Sequence, residues 1–131
     1  MEMRVALDTN RLTDLFQGDV GLADELGYCD EVWVPLVVLA EIKAGFLGGT
    51  QQTRNEALLQ ALLTRATVGI LIPTRATADY YARVFVQLKR AGTPIPDNDL
   101  WIAAMVLEHN LTLITRDRHF ERIPQLLCAA S

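Results

Sequence analysis

Arg4-Val5-Ala6-Leu7-Asp8-Thr9-Asn10 decides the fold: four β-prone residues stop at three that favour turns and helix caps, and an apolar-periodic stretch through Leu12, Leu15 and Phe16 follows. The reading is strand, turn, helix. Outward from it, the spacing predicts a short helix over 20–27, a strand over 31–34, and a helix over 36–47 with Pro35 at its first position and Gly48-Gly49 at its end. A helix over 53–66 leads to a third apolar run, 68–72, which Pro73 closes. A long amphipathic helix over 75–90 and a stiff loop with Gly92, Pro94 and Pro96 follow. The remainder reads as a helix over 98–109, a strand over 111–115, a helical turn over 117–122 and a short fifth strand over 126–129. Apolar strands alternating with helices mean a parallel sheet covered on both faces. The expectation is one α/β domain over 1–131, an α/β/α sandwich around a central parallel sheet of four to five strands.

The 131 residues carry 12 Lys+Arg against 16 Asp+Glu, a formal net charge of −4, and half are apolar. A chain of this size buries roughly two thirds of its unfolded surface and needs no staple. No stretch reaches the roughly 20 apolar residues of a membrane span, and no charged end feeds an apolar signal core. The expected location is the cytoplasm. Cys29 and Cys128 are far apart and are joined by only two histidines, His109 and His119, which excludes a disulfide scaffold and argues against zinc. The acidic balance argues against coating nucleic acid by bulk charge.

Ligands of open parallel sheets bind beyond the carboxyl ends of the strands, and that criterion sorts the acids. Asp8 directly follows the first strand, Asp117 follows the 111–115 strand by one residue, and Asp99 opens a helix. Glu41 shares a helical face with Val37, Val38, Ala44, Gly45 and Gly48, while Lys43 points away. A lone carboxylate in such a stripe needs a compensating partner. Each acid also has a plainer reading: Asp8 as a helix cap, Asp117 as a cap competing with Thr115, Asp99 as a first-turn acid behind the better cap Asp97, and Glu41 as the partner of an Arg such as Arg11.

If the four converge, they cannot all ionise without a cation. Oxygen ligands with no His or Cys nearby suit Mg²⁺ or Mn²⁺, and the matching reaction is in-line phosphodiester hydrolysis with no histidine base. Arg outnumbers Lys ten to two, and Arg is the better phosphate fork. Arg11 lies near Asp8, while Arg116, Arg118 and His119 flank Asp117, so Arg11, Arg116 and Arg118 are candidate phosphate contacts. Trp101, Phe120, Tyr80 and Tyr81 are candidates for stacking on bases or, at helical spacing, for the core.

These residues resemble the PIN-domain family, and within it the VapC-type toxin ribonucleases of toxin–antitoxin pairs. The match includes Leu7-Asp8-Thr9-Asn10, Glu41-Ile42-Lys43-Ala44-Gly45, Ile95-Pro96-Asp97-Asn98-Asp99-Leu100-Trp101-Ile102-Ala103-Ala104 and Leu113-Ile114-Thr115-Arg116-Asp117 with Phe120 after it. Four pieces in this order and spacing make the signal. The resemblance implies a metal-dependent ribonuclease with Asp8, Glu41, Asp99 and Asp117 as catalytic and metal-binding acids, Asp8 and Asp99 being the firmest ligands. Thr9, Asn10 and Thr115 are then supporting polar groups. It also implies an RNA substrate, a homodimer and a silencing antitoxin partner.

A phosphatase of the haloacid-dehalogenase type needs a second Asp where Asn10 stands, and a phospho-receiver domain needs a late-strand Lys where Thr115-Arg116 stands. The alternatives that remain are a non-catalytic module whose acidic groove receives a basic peptide, and a nuclease of RNA processing. With four acids assigned to one centre, the −4 reads as the mark of a metal site in an otherwise balanced domain.

Overall fold

The computed structural model describes residues 2–129. Its elements run β1 (Arg4–Leu7), α1 (Thr9–Phe16), α2 (Val20–Gly27), β2 (Glu31–Pro35), α3 (Leu36–Gly48), α4 (Gln52–Leu63), β3 (Val68–Leu71), α5 (Arg75–Ala91), α6 (Asp97–Glu108), β4 (Thr112–Ile114), a 3-10 turn (Arg118–Arg122) and β5 (Cys128–Ala129). The strands form one sheet in the order β3-β2-β1-β4-β5, and every pairing is parallel. The α/β expectation with a five-stranded parallel sheet holds.

Central strands of such a sheet are covered on both faces and so need no alternation. Val5, Ala6 and Leu7 are accordingly all buried, as are Val32, Val34, Leu113 and Ile114. Helix α6 is the most enclosed helix, with Ile102, Ala103, Ala104, Met105 and Val106 essentially out of solvent, and it packs extensively against α5. One glycine is demanded by packing: a Cβ on Gly69 of β3 would stand 2.7 Å from Cζ3 of the Trp33 indole on β2. The left-handed Gly92 (φ 70°) closes α5, as a glycine C-cap does.

Two local expectations are corrected. Pro35 does not begin α3; it closes β2, paired with Leu71, and at φ −58°, ψ 142° turns the chain into the helix. A proline has no N–H to give, and neither the strand end nor the helix cap requires one here. Asp97 does not cap α6: Pro96 occupies that position in extended geometry, and the Asp97 carboxylate accepts from the Tyr81 hydroxyl. The aromatic rings are largely spent on each other and on the core. Tyr81 stacks on Trp101 with centroids 4.4 Å apart, and Phe120 is buried. Among the described residues no helix is long and apolar enough to cross a membrane.

The chain order places the site. From β1 the chain moves outward through β2 to β3, then returns to the other side of β1 for β4. The connections therefore diverge at β1 and β4, and a crevice opens beyond their carboxyl ends.

Candidate active site

Asp8 leaves β1 at that crevice and is only 4% exposed. Its Oδ1 accepts from the Arg11 backbone N–H at 2.9 Å, capping α1, and its Oδ2 accepts from the Thr115 hydroxyl at the end of β4. The capping role and a site role are thus compatible, because each carboxylate oxygen keeps a further lone pair. Thr115 also accepts from the Asp117 N–H at 3.0 Å, so one buried hydroxyl ties both acids to the strand ends.

Asp117 caps the 3-10 turn, its Oδ1 accepting from the His119 N–H at 2.9 Å. Asp99 enters from the first turn of α6 and is 8% exposed. His119 Nδ1 stands 3.1 Å from Asp99 Oδ2 and 3.2 Å from Asp117 Oδ1. These three residues offer ligand atoms within 4.8 Å of one another.

Glu41 stands slightly apart. The buried face of α3 is Val38, Ile42 and Phe46, whereas Ala44, Gly45 and Gly48 are exposed. Glu41 therefore borders the packed face instead of lying in the middle of a buried stripe. Its compensation comes from the Thr9 hydroxyl at 2.8 Å and the Asn98 amide at 3.1 Å, not from Arg11. Since Thr9 follows Asp8 and Asn98 precedes Asp99, these two bonds tie Glu41 to the same crevice.

Burial is the largest influence on both Asp8 and Asp99, and it raises their pKa values above the ordinary 3.8. Hydrogen bonds from Thr115 and Arg11 N–H to Asp8, and from His119 to Asp99, oppose it. Repulsion adds to the rise, since Asp117 acts on both and Asp8 acts on Asp99. Two buried carboxylates and a third beside them form a donor set that a divalent cation satisfies.

The arginines divide. Arg11 is buried, and its Nη1 lies 3.0 Å from Asp14 and 3.5 Å from Asp19. Arg116 is exposed at the rim and held by Asp14, while Arg118 is exposed at the start of the 3-10 turn. Asn10 is exposed on α1.

In the sequence His119 reads as a cation bordering Asp117, with no histidine among the acids. The structure puts its ring between two of them. The cap bond from the His119 N–H to Asp117 is local, but the approach of the ring to Asp99 on α6 is made only by the tertiary fold.

A PIN domain model matches residues 5–126. Ribonuclease VapC1 of Haemophilus influenzae (strain R2866) is 32% identical over 98 residues, 74% of this chain and 72% of that protein. The crystal structure of VapBC2 from Rickettsia felis, bound to a DNA fragment from their promoter, contains a chain that superposes with a TM-score of 0.88 at 25% identity, covering 97% of this chain and 98% of that one. VapBC-5 from Mycobacterium tuberculosis, a member of the VapBC family of toxin-antitoxin systems, gives 0.70 at 28% identity, over 96% of this chain and 95% of that one. The family match runs over nearly the whole length, and the chain belongs to the PIN domain family.

Proposed function

We propose that this chain is a metal-dependent endoribonuclease and the toxin of a type II toxin–antitoxin pair. The observation that carries the reading is the convergence of buried Asp8 and Asp99 with Asp117 at the divergence of β1 and β4. The VapC ribonucleases and VapBC assemblies among its relatives support the substrate class and an antitoxin partner.

Asp8, Asp99 and Asp117 would hold Mg²⁺ or Mn²⁺, with Glu41 completing the acidic set. A divalent cation there supplies Lewis acidity to water and to the phosphate oxygens of an in-line displacement. The protein's own groups do the positioning. Thr115 fixes Asp8 and Asp117 relative to each other, while Thr9 and Asn98 fix Glu41. Arg116, exposed beside the crevice, meets an RNA phosphate, and Arg118 extends the cationic rim. Arg11 serves the fold instead. Asn10, exposed on α1, serves as a supporting polar group. The chain works in the cytoplasm as a homodimer and is silenced by an antitoxin that covers the acidic crevice.

Expression of the chain alone in bacterial cells tests this. Growth arrest is expected, with relief by co-expression of its antitoxin and loss of arrest in Asp8→Asn at equal protein level. Undiminished arrest in Asp8→Asn would contradict the reading.

A further inference from the structure

We propose that His119 is a nitrogen ligand of the cation, through Nδ1, and that it biases the site toward Mn²⁺ over Mg²⁺. This rests on the metal-dependent reading above and goes beyond it, because the acidic set alone gives no reason to prefer one ion.

The geometry is specific. Nδ1 lies 3.1 Å from Asp99 Oδ2 and 3.2 Å from Asp117 Oδ1. Adjacent corners of an octahedron with bonds of about 2.1 Å are about 3.0 Å apart. The imidazole nitrogen therefore already sits at the spacing of a neighbouring ligand to both oxygens. The two acids come from different elements, Asp99 from the start of α6 and Asp117 from the cap of the 3-10 turn, so the tertiary fold makes this triangle. His119 is also pinned locally, since its backbone N–H donates to Asp117 Oδ1 at 2.9 Å. Its side chain is 39% exposed, which leaves the ring within reach of an ion arriving from solvent.

Chemistry supplies the selectivity. Mg²⁺ takes oxygen ligands and keeps its waters, whereas Mn²⁺ opens the first-row series whose affinity for sites with nitrogen donors rises toward Cu²⁺, so one nitrogen in an otherwise oxygen set favours Mn²⁺ over Mg²⁺. Coordination through Nδ1 requires the ring proton on Nε2, which leaves the Nδ1 lone pair for the metal.

Pulsed EPR of Mn²⁺ titrated into the full chain at pH 8 tests this directly, with Mg²⁺ competition measured in parallel. The expected result is directly coordinated nitrogen coupling in the wild type. In His119→Gln that coupling disappears and Mn²⁺ binding weakens roughly tenfold or more, while Mg²⁺ binding changes much less. Bound Mn²⁺ without nitrogen coupling, displaced by Asp99→Asn, would overturn the proposal and leave the carboxylate site standing. Failure of the wild type to bind Mn²⁺ at all would overturn both. The wild-type spectrum needs no variant, so a folding defect in His119→Gln leaves the proposal decidable.

Discussion

Arg116 grips Asp14 with two hydrogen bonds, Nε to Oδ2 at 2.9 Å and Nη2 to Oδ1 at 3.2 Å, joining the end of β4 to α1. Asp14 in turn is held below the ordinary carboxylate range by Arg116 first, against burial, with help from Arg11. The fork fixes the direction of an exposed guanidinium beside Asp8 and Asp117.

Arg116→Ala should therefore raise KM for RNA several-fold more than it lowers kcat, with only the small drop in melting temperature that loss of an exposed ion pair brings. Arg116→Lys should not restore binding, because a point ammonium cannot reproduce a two-bond fork. Steady-state cleavage of a short RNA separates the two parameters. A loss confined to kcat would contradict a role in phosphate binding.

Arg11 has the opposite character. Buried between Asp14 and Asp19, it should matter for stability, and Arg11→Ala should cost about 1–3 kcal/mol in urea denaturation, as loss of charged hydrogen bonds does. The folded fraction should bind RNA as the wild type does. A weakened RNA affinity with full stability would show that its side chain reaches substrate.

The raised pKa values of Asp8 and Asp99 have a sign that can be tested. Burial raises both above 3.8, so the folded protein holds these protons more tightly than the unfolded chain. Their contribution favours the fold below about pH 4 and is lost as pH rises through the folded values. In chelator at pH 7.5, Asp99→Asn should consequently melt higher than the wild type. Added Mn²⁺ should stabilise the wild type, by about 2.7 kcal/mol at a hundred times its Kd, and the variant far less. A variant that melts lower in chelator would contradict the electrostatic account.

Much of this was legible in the residues. Asp8 and Asp117 were placed by the strands they follow, and the sheet by its alternation with helices. What escaped depended on tertiary partners. Glu41 looked like a carboxylate in search of an arginine, but Thr9 and Asn98 satisfy it from two other elements. Arg11 stands near Asp8 in the sequence, and its pairing with Asp19 at the start of α2 is made only by the fold. Asp97 seemed the natural cap of α6, but Tyr81 on α5 engages its carboxylate and Pro96 provides the extended turn. His119 was counted as a flanking charge because sequence spacing cannot show a ring folded back over a 3-10 turn.

The carboxylates of this crevice are expected to cleave RNA through a divalent cation. The most direct measurement is cleavage of labelled RNA by purified protein with Mg²⁺ or Mn²⁺, comparing wild type with Asp8→Asn and Asp99→Asn, each with and without excess EDTA. Cleavage is expected only with the cation and essentially only by the wild type, with both variants lower by about a hundredfold or more, as when catalytic charge is removed. Cleavage that persists in EDTA, or that both variants retain, would contradict it.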